Sequence, residues 1–259
     1  MKNLRLFQTA FLVLAVCVGF ISCEKEEQKN ENDGGTMVPT YIGKKLVKLD
    51  DCRLSYDDKG RLIKFDYNDG DYESFEYGDD FVNYSVSWGY RRFYKANLNN
   101  KGLATSIDVW CTHAGEFCDE TTHPHYDGET ISFEYDEYGR LIKWVGYCSI
   151  DWDSNGNIAS VRHTYGDKPV TFEYGLSPIE NKMGFMLSYD TLWDVDLDGL
   201  DIFTLARIMG SGTKHLPISR SDGTTFRWEL DKDGYPTSVI IHEAYEDYED
   251  TYTITMVWE

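Results

Sequence analysis

The chain has 259 residues, with 45 acidic and 25 basic side chains and a formal net charge of −20. That balance excludes nucleic acid as a partner, because phosphate binding needs clustered Lys and Arg. A hydrophobic share of 41%, with 15% aromatic, excludes an unfolded chain and is enough for one large core.

Taken in chain order, the first element is an address. Lys2 and Arg5 are basic, and no charge occurs from Leu6 to Ile21. A basic start followed by a short apolar run is the pattern of a secretory signal. The run is too short and badly flanked for a typical spanning helix. It ends in Phe20-Ile21-Ser22-Cys23, which resembles a bacterial lipobox. The resemblance implies that residues 1–22 are removed and that Cys23 carries lipid; an ordinary signal with an incidental cysteine is the alternative. Losing Lys2 and Arg5 leaves 45 acids and 25 − 2 = 23 bases, a charge of −22. Attachment to an anionic bilayer must then come from the acyl chains on Cys23.

Residues 23–38 follow, and Glu24 to Gly35 contains no apolar side chain. Such a stretch cannot fold alone and reads as a flexible tether. Acidic residues directly behind an acylated cysteine resemble the surface-export signal of Bacteroidetes lipoproteins. That implies an outer-membrane lipoprotein displayed at the cell surface. A solvated spacer on a periplasm-facing protein is the competing reading.

Residues 39–259 read as a single β domain. A short pattern recurs within it, as Tyr56-Asp57-Asp58-Lys59-Gly60-Arg61-Leu62 and Tyr135-Asp136-Glu137-Tyr138-Gly139-Arg140-Leu141. Looser copies surround Gly102, Gly156 and Gly234. Asp or Asn opens a type I turn by bonding nearby backbone N–H groups, and the Gly three positions on accepts positive φ. A type I turn followed by a left-handed Gly makes a hairpin with a bulge. Alternating apolar residues flank each turn, so each strand has one buried face. Further strands are expected over 41–49, 72–77, 81–88, 170–174 and 252–258. In the last, Tyr252, Ile254, Met256 and Trp258 share a face. The fold expected is mainly β: an antiparallel meander of bulged hairpins, forming a curved sheet or a barrel. A membrane-spanning barrel is not expected, because the strands alternate with Glu, Lys, Asp and Arg where an outer apolar band would lie.

One helix interrupts the strands. Ile202, Leu205, Ala206 and Met209 follow helical spacing, Asp198 can cap its start and Gly210 can end it. Its apolar face is expected to plug one end of the sheet.

The Tyr-Asp-x-x-Gly-Arg-Leu core resembles the YD repeats of Rhs-type shell proteins, which supports hairpins and nothing chemical. A broader resemblance spans about residues 40–259. It rests on the lipobox, the two full hairpins, Phe172-Glu173-Tyr174-Gly175 with Ile179-Glu180-Asn181-Lys182, and Leu205-Ala206-Arg207 running to His215-Leu216-Pro217. In that order these motifs resemble a family of Bacteroidetes lipoproteins of unknown function. The resemblance implies a porin-like fold and brings no catalytic residues.

Candidate chemistry is sparse. Without Cys17 and Cys23, four cysteines are left in an oxidising compartment. Cys111 with Cys118 would close a short loop and is the first pairing, leaving Cys52 with Cys148. Cys111, His113, Cys118, His123 and His125 do not follow a zinc spacing. Asp151–Gly156 and Asp194–Gly199 begin like EF-hand loops but carry Arg162 and Leu205 where a bidentate Glu belongs. His242-Glu243 begins a zinc-helix motif but ends on Glu246 and follows a strand. No nucleophile elbow or phosphate loop occurs. The expectation is therefore a non-enzymatic binding or structural module, with no cofactor and no metal site. Its partners would be the bilayer through Cys23 and an envelope glycan or protein. Two rival classes have stated tests. A carbohydrate-binding protein needs exposed rings clustered on one sheet face, with Tyr84, Trp88, Tyr90, Phe93 and Tyr94 the densest run. A glycan hydrolase needs two carboxylates converging in a cleft.

Overall fold

The structure is a computed structural model, and it describes residues 43–87, 91–110, 126–164, 166, 168–185, 202–245 and 248–259. The strands are β1 (Leu46–Leu49), β2 (Cys52–Tyr56), β3 (Leu62–Asp66), β4 (Tyr72–Tyr77), β5 (Phe81–Ser87) and β6 (Arg91–Leu98). They continue with β7 (Ala104–Trp110), β8 (Tyr126–Tyr135), β9 (Leu141–Trp144), β10 (Cys148–Trp152), β11 (Ile158–His163) and β12 (Val170–Glu173). After β13 (Ile179–Glu180) comes the helix α1 (Ile202–Leu205). The last strands are β14 (His215–Leu216), β15 (Ser219–Arg220), β16 (Thr225–Leu230), β17 (Pro236–Tyr245) and β18 (Tyr248–Trp258).

Sixteen of the strands close into an antiparallel barrel, and β13 with β14 forms a separate pair. Nearly all neighbours in the ring are neighbours in sequence, as a meander requires. Closure comes from the first and last strands, with Leu46 opposite Trp258 and Leu49 opposite Met256. The expected meander is thus present and its barrel form is the closed one.

The five repeated turns form as their sequences dictate. Gly60, Gly102, Gly139, Gly156 and Gly234 have φ of 80°, 74°, 78°, 82° and 82°. Each hairpin shifts register by a bulge beside its turn, at Ser55/Tyr56, Asn97/Leu98, Glu134/Tyr135, Asp151/Trp152 and Glu229/Leu230. The bulge exists because a left-handed residue ends the turn and leaves one strand a residue longer.

Period-two alternation sorts the wall. On β5 the inward Val82, Tyr84 and Val86 are buried, while Asn83 is exposed. On β18 the outward Thr251, Thr253 and Thr255 are exposed, and Tyr252, Ile254, Met256 and Trp258 pack inward as expected. The apolar side chains form one core inside the ring, and the described outward positions are mostly polar. A lipid-facing barrel shows the reverse, an apolar band outside.

A ring of sixteen strands is wide enough to leave a channel. Here the described parts of the chain between β12 and β15 pack into the interior instead. Met183, Phe185, Ile202, Phe203, Leu205, Ile208 and Leu216 of that segment are buried with the wall. Phe203, fully buried, stacks edge-on against Tyr84 at 4.9 Å and Phe75 at 6.2 Å. Burying each such ring stabilises the fold by about 1.5–3 kcal/mol.

The helix is shorter than its spacing predicts. It ends at Leu205 and is closed by a left-handed Arg207, well before Gly210. The Arg207 N–H bonds the Thr204 carbonyl at 3.0 Å and the Ile208 N–H bonds Phe203 at 3.2 Å, with Arg207 at φ 62°. This is a Schellman ending in which Arg stands where Gly is usual. Gly210 is also left-handed, at φ 94°, and a side chain there would collide with the Gly139 carbonyl, so the position requires Gly. Asp198, the expected cap, lies outside the described residues.

Candidate functional site

Strand direction assigns every turn to one end of the barrel. All five bulged turns, the residues leading into β1, and Glu259 after β18 fall at the same end, where the inserted segment also leaves and rejoins the wall. We refer to it as the plugged end.

Each turn there is fastened by its opening residue. The Asp57 carboxylate accepts the backbone N–H of Lys59 at 3.0 Å and Arg61 at 2.8 Å, and the Arg61 guanidinium at 2.7 Å. Asp136 repeats this with Tyr138 and Arg140 at 2.9, 2.9 and 2.6 Å. Burial opposes the charge of Asp57 and Asp136, but these bonds win and hold both carboxyls below the ordinary value. Asp153, Asp231 and Asn99 cap their turns in the same way.

The inserted segment is sewn to those turns. Ala104 N–H bonds the Ile208 carbonyl at 2.7 Å, and Lys214 N–H bonds the Gly156 carbonyl at 3.0 Å. The Asn157 side chain accepts the His215 N–H at 2.9 Å, and Lys182 Nζ reaches the Asp233 carbonyl at 2.6 Å. Lys44, just before β1, pairs with Asp231 at 2.7 Å and Asp233 at 2.8 Å. The bond from Lys44 pulls Asp231 down to about 2, and Asp231 in turn raises Lys44 to about 12.

The opposite end carries inward-facing polar groups. Glu73 on β4 shares its face with Phe75 and is 1% exposed. It accepts a hydrogen bond from Tyr67, and its charge, after burial itself, keeps the phenol of Tyr84 protonated. Tyr84 packs on Tyr94 at 5.3 Å. On β17, Glu243 accepts the Tyr252 hydroxyl at 3.3 Å. Glu73 and Glu243 stand five strands apart around the ring. The sequence reading missed Glu73, although its parity with Phe75 marks it as inward.

The sequence candidates fall out as follows. Cys52 and Cys148 are free thiols on β2 and β10, eight strands apart whichever way the ring is followed. A closed barrel therefore holds them on opposite walls, and the residual pairing expected for them is corrected. Burial first, with Asp50 adding for Cys52, pushes both thiols up to about 11, away from the reactive thiolate. Cys23, Cys111, Cys118, His113, His123 and His125 lie outside the described residues, as does the loop 194–199. The Asp151–Gly156 stretch is a hairpin turn whose Asp153 is engaged by backbone amides, and Asp151 accepts Ser160 at 2.8 Å. His242 and Glu243 point to opposite sides of β17, with His242 beside Thr251 at 2.9 Å. Among the described residues, no three His, Cys, Asp or Glu side chains gather as a metal site. Of the aromatic run, Tyr84 and Tyr94 point into the core and Phe93 is half-buried, while Trp88 and Tyr90 lie outside the described residues.

The sequence matches no family model and no curated protein. By fold it is similar to a porin-like protein from Bacteroides uniformis, known from a crystal structure. The TM-score is 0.60 at 18% identity, over 88% of this chain and 100% of that one. The porin-like architecture expected from sequence is therefore the one observed.

Proposed function

We propose that this chain is an outer-membrane lipoprotein, anchored through acylated Cys23, whose sealed porin-like barrel works as a non-enzymatic binding or structural module. The observation that carries this reading is the wall: mostly polar at its described outward positions, apolar inside, and filled by the segment around Phe203. Such a barrel neither faces lipid nor conducts solutes, so the fold of a pore serves here as a scaffold. Its partner is a glycan or another protein of the envelope.

Two measurements test it. Cys23→Ala should release the protein from the membrane fraction and abolish palmitate incorporation; a variant that still takes up palmitate overturns the anchor. The purified chain should add no stepwise conductance to a planar bilayer. Discrete channel openings would instead make it a pore.

A further inference from the structure

The seam that closes the barrel is shorter than the strand that closes it. β18 pairs with β17 from Tyr248 to Thr255, but with β1 only at Met256, Val257 and Trp258. β1 turns away into β2 at Asp50 and Asp51. The part of β18 before Thr255 therefore rises past that turn with one side paired and the other open.

Ladder parity identifies the open groups. Lys45 and Glu259 exchange both backbone bonds, and the Asp50 N–H donates to the Thr255 carbonyl at 2.8 Å. Alternate residues of β18 thus aim their backbone toward the β1 side. Thr253, Thr251 and Glu249 continue that row beyond the turn, and all three are exposed. Among the described residues, neither the N–H nor the carbonyl of Thr253 has a partner. Where N–H groups of the row are satisfied, carboxylates stand in for a neighbouring strand. Asp50 accepts from Thr255 at 2.7 Å, and Asp250 accepts from Thr251 at 2.7 Å.

A row of unpaired backbone groups is a template for another strand. The charge around it selects which one. No Lys or Arg occurs from Thr237 to Glu259. Glu249, Asp250, Asp50 and Asp51 are exposed along the open side. The nearest bases are Lys48, paired with Asp51 at 3.5 Å, and Arg53, one strand further round on β2. These acids repel a second copy, whose own hairpin would bring Glu249 and Asp250 with it. Stretches 24–35, 111–125 and 186–201, which lie outside the described residues, each hold more Asp and Glu than Lys and Arg and are repelled as well.

We propose that the open edge of β18, from Glu249 to Thr253, takes up an extended basic segment of a different protein as an added strand. A carbonyl of that segment displaces the Asp250 carboxylate from the Thr251 N–H and frees it to pair with an incoming Lys or Arg. Alternate residues of the segment lie beside Thr251 and Thr253 on the outer face, and beside Tyr252 and Ile254 on the inner one. Main-chain bonds supply the affinity, and the acids supply the selection. The proposal rests on the reading of the barrel as a binding module.

Peptide binding to the purified full chain tests it, followed by amide hydrogen exchange. The probe is a short peptide of alternating lysine and valine. One control replaces its lysines by glutamate, and the other is the lysine peptide N-methylated throughout, which has no backbone donors. The lysine peptide should bind and slow exchange at Thr251 and Thr253, leaving β4 unchanged, and both controls should fail. Glu249→Gln and Asp250→Asn should each weaken binding by up to about fivefold. Thr253→Pro removes an outward N–H but no ladder bond to β17, so it should lose binding at an unchanged melting temperature. Should that variant unfold, the N-methylated peptide carries the same test. Equal binding of all three peptides, or binding without protection of Thr251 and Thr253, overturns the proposal. So does self-association that Thr253→Pro breaks, which assigns the edge to a second copy. A chain that binds no peptide and adds no conductance to a bilayer loses only the edge proposal, whereas a chain that conducts loses the binding-module reading itself.

Discussion

Gly139 sits at φ 78°, and a side chain built on it would meet Leu103 at 3.4 Å, an ordinary contact. The cost of a larger residue there is therefore conformational rather than steric. Holding a β-branched residue in that region costs on the order of 1–3 kcal/mol. Gly139→Val should lower the melting temperature by several degrees, at roughly 2–4 °C per kcal/mol for a chain of this size. Lys59→Ala, one residue before the equivalent glycine, should leave it unchanged within the effect of about 0.5 kcal/mol usual for surface changes. Calorimetry of the two variants beside the parent decides this; a parental melt for Gly139→Val would mean that the turn relaxes freely. A second residue-scale outcome concerns the Lys44–Asp231 pair. Asp231 titrates at about 2 in the fold against 3.8 ordinarily, so its contribution is whole above about pH 4 and fades as pH falls toward 2. Lys44 titrates at about 12 against 10.5, so its share is whole below 10.5 and fades as pH rises through 12. The stability gap between Lys44→Met and the parent should be full at pH 7 and much smaller at pH 2. A gap as large at pH 2 as at pH 7 would show that the lysine acts by packing.

At the scale of elements, the hairpins and the inserted segment differ in how far the sequence reveals them. Each hairpin is local: Asp or Asn, three residues and Gly specify the turn, and alternation on either side specifies the face. Five turns could be placed from those signals alone, and all five have the expected backbone. The helix is mostly tertiary. Its spacing placed Ile202, Leu205, Ala206 and Met209 correctly on a buried face, but it closes at a left-handed Arg207, where the sequence offers no glycine to mark the end. Glu73 was legible in part, since its parity with Phe75 marks it as inward, but its neighbours Tyr67 and Tyr84 come from other parts of the chain and are seen only in the fold. Residues 39–42, assigned to the domain, precede the described ones. The inserted segment also makes the clearest energetic prediction. Phe203→Ala removes a fully buried ring and should cost about 3–5 kcal/mol. Hydrogen exchange should then show loosening of β4 and β5, which carry Phe75 and Tyr84. Exchange that rises only within α1 would mean that the wall stands without its plug.

For the whole molecule, the closed ring explains what the cysteine arithmetic could not. Four thiols in an oxidising compartment suggest two bridges, yet topology holds Cys52 and Cys148 on opposite walls. Their labelling by a thiol reagent should be slow in the native protein and rapid once it is unfolded. A native bridge between these two cysteines, found by mass spectrometry of the oxidised protein, would be incompatible with this ring. The closure between β1 and β18 has its own consequence for how such a chain is made. Leu46 and Trp258 are 212 positions apart, yet they sit side by side, and Lys45 and Glu259 exchange both backbone bonds at 2.6 and 2.9 Å. Hairpins can form one by one as the polypeptide emerges, but the final seam waits for the last strand. Until it arrives, two unpaired edges stand open to pairing with other chains. Non-local pairing of this kind is slow, so maturation has a vulnerable interval that only the completed ring ends.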